Sequence, residues 1–245
     1  AIRDPLWSRG LGDVYKRQTI NRINMKKTLI ALFIAMFSFG SASADAGVSI
    51  GVSGNMGLFA ATATEFDEGT HGTTTGPDES NTESDYLGLG YVSLFVEKSI
   101  GQAFIGVDYV PAALETDTTE SVRQDKTTAD SATARTNKVQ IDFEELTTLY
   151  VALNVTDNMY IKAGMVTVDV ITNESLGTGS SYGNTDLDGT QIGFGINNEF
   201  GNGMFIRAEG SYMTFDGASL SSNDNKITLS NLDGLSGKLA IGRSF

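Results

Sequence analysis

Cysteine is absent from the 245-residue chain, so no disulfide can staple it and no lipid can be attached at a cysteine after export. Stability has to come from hydrogen bonding and packing. Proline is scarce, with three residues against 28 glycines. No segment beyond residue 44 keeps a 3.6-residue apolar period, which together with that balance points to an all-β chain. No apolar run reaches the roughly 20 residues a helix needs to cross a bilayer. Histidine occurs once, at His71, between Thr70 and Gly72. Nucleophilic Ser–His chemistry needs the imidazole held by a third group, and nothing nearby offers one, so His71 reads as a solvated loop residue. Basic residues are few as well. Beyond residue 44 there are 10 Lys and Arg against 28 Asp and Glu, a net charge of −18. Nucleic acid, which is bound through clustered Lys and Arg, is a poor partner for such a chain.

The front of the chain reads differently from the rest. Residues 1–24 have no amphipathic period and carry the single tryptophan, Trp7, and are set apart as a non-native extension. Met25 then opens a second beginning. Lys26 and Lys27 precede an eleven-residue run, Leu29 to Phe39, apolar apart from Ser38, and Ala42-Ser43-Ala44 follows. A basic n-region, a short apolar core and an A-x-A site make residues 25–44 a signal peptide cleaved after Ala44, with Ala42 and Ala44 as its small residues. The domain to be explained is then 45–245, about 200 residues and one domain.

What that domain contains is alternation. Strands are expected over Ala46 to Ala63, Tyr86 to Lys98, Gln102 to Val110, Lys138 to Val155 and Met159 to about Thr172. Three more are expected around Ile192, around Ile206 and from about Lys226 to the end. In each, apolar residues share one parity and polar or small residues the other. In the fourth, Val139, Ile141, Phe143, Leu149, Val151, Leu153 and Val155 are all odd-numbered, which predicts one register from end to end. In the last, Leu235, Leu239, Ile241 and Phe245 oppose Ser236, Lys238, Ala240, Gly242 and Ser244. The upper half of the fifth is apolar on both faces, which leaves its facing open.

Connections between these strands alternate long and short. The long ones, expected at 64–85, 112–136, 173–188 and 216–225, are polar and acidic; the short ones are turns of two to four residues. Short turns at one end and long loops at the other are the meander of an outer-membrane barrel. A soluble eight-stranded barrel with its apolar face inward is the structural competitor. The other parity decides between them: Glu97, Asp108, Lys162, Arg207, Glu209 and Lys238 occupy it, with Gly, Ser, Thr and Asn filling much of the rest. Such a face suits a narrow lumen in which glycine leaves room for long charged side chains. The expected fold is all-β, an eight-stranded antiparallel up-and-down transmembrane β-barrel.

The final strand resembles the C-terminal strand of Gram-negative outer-membrane barrels. In them, a terminal aromatic forms part of the signal read by the barrel assembly machinery, and the corresponding residues here are Leu239, Ile241 and Phe245. Arg243 departs from that pattern, which has an apolar or aromatic residue at its position. The domain as a whole resembles the small eight-stranded OmpA/OmpX-type barrels. The resemblance implies an outer-membrane location, with lipid and lipopolysaccharide around the barrel, and specifies fold better than activity.

For function, the six lumenal charges balance, three against three, and are expected to form a hydrogen-bonded ionic network, since each is costly to bury without a partner. That favours a structural or surface-interaction scaffold showing acidic loops outward; a narrow channel for small solutes is the alternative. No catalytic site, metal centre or cofactor is indicated. Paired loop carboxylates such as Asp67-Glu68 and Asp78-Glu79 have oxygens suited to Ca²⁺ or Mg²⁺, but no EF-hand spacing is present.

Overall fold

The computed structural model describes residues 47–67, 70–71, 74–75, 77–125, 133–176, 181–222 and 225–245. The expected extension, the signal peptide and its Ala42 and Ala44 lie outside them, as does Glu68.

Eight long strands make the wall: β1 Val48–Asp67, β2 Glu79–Ile100, β3 Ala103–Tyr109, β4 Thr133–Asn154, β5 Met159–Ser175, β6 Thr185–Glu199, β7 Met204–Phe215 and β8 Asn225–Ser244. Each pairs antiparallel with the next, and β8 pairs back onto β1 from Ser49↔Ser244 to Asp67↔Asn225. The ring is closed, so the strands form an up-and-down barrel rather than an open sheet. Among the described residues there is no helix.

Facing follows from the pleat. In β1, Val52, Met56 and Leu58 are exposed while Ser49, Ser53 and Asn55 are buried. The same split recurs in every strand: Leu94, Val151, Ile161, Phe194, Ile206 and Leu239 look outward. Exposed apolar residues run from Ile50 to Leu58 along β1, a band of about 20 Å at the usual rise and tilt. Aromatic residues mark its borders, Phe200 and Phe245 at the short-turn end and Tyr86, Tyr109 and Tyr212 toward the other. A water-soluble barrel does not display a closed belt of exposed Ile, Leu, Val, Met and Phe. The apolar side faces lipid and the charged side faces the lumen.

Four features depart from the sequence expectation. First, the long connections are shorter than expected. β1 and β2 remain paired up to Asp67↔Glu79, and β5 and β6 reach Ser175 and Thr185. Hydroxyl pairs such as Thr62–Ser84 at 2.9 Å and Thr64–Thr82 at 3.0 Å extend the ladder beyond the apolar belt. Many acidic residues assigned to loops therefore stand on strands that project past the membrane band.

Second, β4 does not keep one register. Glu145, at φ 53°, and Leu146 together oppose Val168, because Glu144 pairs with Asp169 and Thr147 with Thr167. This bulge turns the strand over. Below it Thr148, Tyr150 and Ala152 are buried in the lumen; above it Ile141 and Phe143 pack against a lumenal apolar cluster instead of facing lipid. A second bulge, Asn231 and Leu232 against Ala61, with Asn231 at φ 50°, does the same for β8 and brings Leu229 and Leu232 to that cluster.

Third, glycine is not confined to the polar face where it was expected: Gly88 and Gly90 are exposed on the outer face with Val92 and Leu94. Fourth, β2 meets β3 only from Leu94 to Ile100. Past Tyr109 the chain leaves β2 and follows β4, through Leu114–Glu115 and Thr119–Asp125. Pro111, which lacks an N–H to give to a ladder, sits where β3 ends.

The lumen is thus filled at two levels. The upper level, toward the long loops, is apolar: Val110, Leu114, Leu146, Val166, Val168, Val170 and Leu187 are buried together. The undecided half of β5 therefore turns Val166, Val168 and Val170 inward. The lower level is charged and aromatic.

Candidate functional site

The lower lumen brings together all six charged residues picked out from the sequence. Lys162 of β5 pairs with Glu209 of β7, Arg207 of β7 with Glu97 of β2, and Lys238 of β8 with Asp108 of β3. None of the three pairs joins neighbouring strands. Each reaches past at least one intervening strand, so the pairs tie non-adjacent parts of the wall together. Their side chains are 3–13 % exposed, which places every charge away from bulk water. In that setting removing one partner leaves the other uncompensated.

Tyrosine hydroxyls add to two of the carboxylates. The Tyr150 hydroxyl donates to Glu97 Oε1 at 2.6 Å, and the Tyr160 hydroxyl donates to Glu209 Oε2 at 2.8 Å. Arg207 also donates from Nε to Asn197 Oδ1 at 3.2 Å. Its guanidinium lies 4.4 Å from the Phe205 ring centre and 4.8 Å from that of Phe104, with Tyr160 and Phe95 slightly farther. Cation–π attraction to several rings adds to the ion pair and fixes the guanidinium in the barrel centre.

Glycine makes these rings possible. A Cβ at Gly106 would lie 2.5 Å from the Tyr150 ring, and one at Gly195 2.4 Å from that of Tyr160. Gly51 and Gly242 receive Phe95 and Phe205 in the same way. The lumenal glycines thus accommodate aromatic rings rather than the charged side chains expected opposite them. Sequence reasoning missed Tyr150, Tyr160, Phe95, Phe104 and Phe205 as members of the site. For Tyr150, Tyr160, Phe95 and Phe205 the usable signal was an aromatic residue of lumenal parity facing a glycine of the neighbouring strand; Phe104, opposite Ser99 and Ala152, carried none.

Between the two levels runs a polar layer. Ser53 and Ser93 are 2.6 Å apart, Asn55 donates to both at 3.1 Å, and Gln191 donates to Ser211 at 3.0 Å. Gln191 Oε1 and Glu97 Oε2 are buried with no protein partner. Gln191 borders a cavity of about 20 Å³ shared with Asn55, Asp108, Lys162, Glu209 and Lys238. That is room for one water molecule, with these polar groups as partners and Val110, Leu146 and Met213 on its apolar side.

At the short-turn end, Leu239, Ile241 and Phe245 all point outward, 67 %, 45 % and 54 % exposed. His71 lies in a two-residue strand paired with Thr74–Thr75, and its side chain is outside the described residues. Among the described residues, no three Asp, Glu or His converge as metal ligands do.

No family model matches the chain, and no curated protein does. Several solved structures are similar. The attachment invasion locus protein Ail of Yersinia pestis shares 10 % identity over 76 % of this chain and 97 % of its own, with a TM-score of 0.31. OprG of Pseudomonas aeruginosa shares 13 % over 80 % and 96 %, at 0.42. The outer membrane protease OmpT of Escherichia coli shares 8 % over 84 % and 99 %, also at 0.42. These values are too low to carry fold or chemistry across. Strand pairing and the exposed apolar belt decide the class. The chain is a transmembrane β-barrel of outer-membrane type. An even number of antiparallel strands, aromatic borders and a polar, filled lumen are what that type consists of.

Proposed function

We propose that this barrel is a closed scaffold of the outer membrane. It holds an acidic rim outward for surface interaction and conducts no solute through its centre. The observation carrying this reading is the filling of the lumen: three ion pairs between non-adjacent strands with their aromatic rings below, and a seven-residue apolar cluster above. A solute crossing the barrel has to displace both. The upper part of β2 carries Glu79, Glu83 and Asp85, all exposed, which supply the outward acidic surface. Outer-membrane lipid and lipopolysaccharide surround the belt, and Leu239, Ile241 and Phe245 serve as the signal to the barrel assembly machinery. Divalent cations screen the rim carboxylates. The protein is not an enzyme in this reading, and substituting His71 and the rim carboxylates leaves no activity to lose.

Single-channel recording of the refolded barrel in a planar bilayer tests the reading. We expect no sustained openings. Sustained opening of the wild-type barrel replaces the scaffold with the narrow channel. Arg207→Ala removes the cation that pairs with Glu97 and sits among the rings, so it either destabilises the barrel or raises its conductance. No change in either overturns the ionic closure.

A further inference from the structure

Arg243 has no place in the lumenal network. It shares the parity of Leu239, Ile241 and Phe245, is exposed, and lies on the lipid-facing side one residue from the end of β8. Its Cα partners are Ile50 on β1 and Met204 on β7, both exposed and apolar. A cation flanked by two apolar residues at the border of the belt is costly unless something anionic meets it. Among the described residues no carboxylate does: its contact is with the ring of Phe245, 5.2 Å from the guanidinium carbon. That contact holds the planar group at the border and leaves its donors open.

Directly above Arg243 the outer surface is hollow. A groove of about 310 Å³ is lined by Val52, Gly54, Val92, Ile206, Leu239 and Ile241. Ile241 pairs with Val52 and Ile206, and Leu239 pairs with Gly54, so the groove occupies the two rows above the Arg243 row. Those rows stand about 5 and 10 Å above it along the barrel axis. The hollow exists because Gly54 has no side chain: a Cβ there would meet nothing within 4 Å.

We infer that Arg243 and this groove form a binding site for a phospholipid of the leaflet at the short-turn end. The guanidinium takes the phosphate, and one acyl chain lies over Gly54. Charge complementarity names the headgroup, because a guanidinium with free donors recognises phosphate oxygens in bidentate fashion. Position names the chain, because the groove is apolar, lies within the belt and starts where the phosphate ends. The site gives Arg243 a use at the position where the terminal-strand pattern has an apolar residue. This inference rests on the lipid-facing orientation of the belt.

The test is native mass spectrometry of the refolded barrel, released from vesicles containing phosphatidylglycerol with a small fraction of diacylglycerol. We expect one phosphatidylglycerol to stay bound to the wild type. Arg243→Gln should weaken its retention roughly fivefold, the effect of one cation at an anionic surface, and leave diacylglycerol retention unchanged. Gly54→Leu fills the groove from a position where a Cβ has open space and should weaken retention of both lipids. Equal retention of phosphatidylglycerol by wild type and both variants overturns the site. In a second set of vesicles, with lipid A and phosphatidylglycerol in equal amounts, stronger retention of lipid A also overturns it, since that assigns Arg243 to the other leaflet's lipid. Circular dichroism and unheated gel mobility report insertion separately. A barrel that inserts but retains no lipid removes this site and spares the scaffold, whereas failure to insert removes both.

Discussion

The two levels of the lumen solve one problem with opposite chemistry. The lower level satisfies six buried charges through three ion pairs, two tyrosine hydroxyls and a set of aromatic rings. The upper level contains little that needs satisfying, since Val110, Leu114, Leu146, Val166, Val168, Val170 and Leu187 pack on one another. Ionic closure is specific and unforgiving, because a lost partner strands a charge. Apolar closure is tolerant, because a lost methyl leaves only a cavity. The transition between them is made by the backbone. The bulges at Glu145 and Asn231 turn β4 and β8 over, so residues that would have faced lipid become lumenal core.

The sharpest way to break the contrast is to strand a charge. Lys162→Ala leaves Glu209 with Tyr160 as its remaining partner and should cost about 3–5 kcal/mol in urea unfolding from lipid vesicles. The double variant Lys162→Met, Glu209→Leu should recover most of that loss. No recovery would mean that the pair is not the source of the cost.

Glu145→Val attacks the boundary itself, because a β-branched side chain resists the left-handed backbone at φ 53° on which the bulge depends. Losing the bulge without removing a residue should return Ile141 and Phe143 to the facing of Leu149 and Val151 and expose them to solvent above the belt. We expect a loss comparable to that of one or two large core truncations, on the order of 2–5 kcal/mol, with cysteine-accessibility labelling at position 143 rising. Unchanged labelling would mean that the bulge does not set the facing.

Leu187→Ala probes the apolar level alone. It should lower stability by roughly 2–4 kcal/mol without raising conductance, since the ionic level stays intact. Tyr150→Phe is gentler, removing one hydrogen bond to Glu97 at a cost of about 1.5–3 kcal/mol. The smallest effect belongs to the projecting strands, where Thr62→Ala loses a solvent-exposed hydroxyl pair. It should fall within about 0.5 kcal/mol.

Much of this arrangement is legible before any coordinates. Lys162, Arg207, Glu209 and Lys238 each share the parity of small residues in their own strand, and parity alone places them on one face of a closed sheet. The number of strands and the alternation of short and long connections likewise follow from period and turn composition. The pairings do not. Asp108 and Lys238 are 130 residues apart, and nothing local says that Lys238 reaches Asp108 while its cross-strand partner Glu209 turns to Lys162. The facing of Ile141 and Phe143 is also hidden, because an unbroken odd-numbered pattern looks the same whether or not a bulge interrupts it.

By itself, the sequence determined that strands of period two would close around a charged, glycine-lined interior, because alternation is a property of neighbouring residues along one chain. Which charge meets which, where the aromatic rings sit and where the lumen changes from ionic to apolar were decided only on closure. Those outcomes depend on register between strands, and register is fixed when all eight strands share a single lumen.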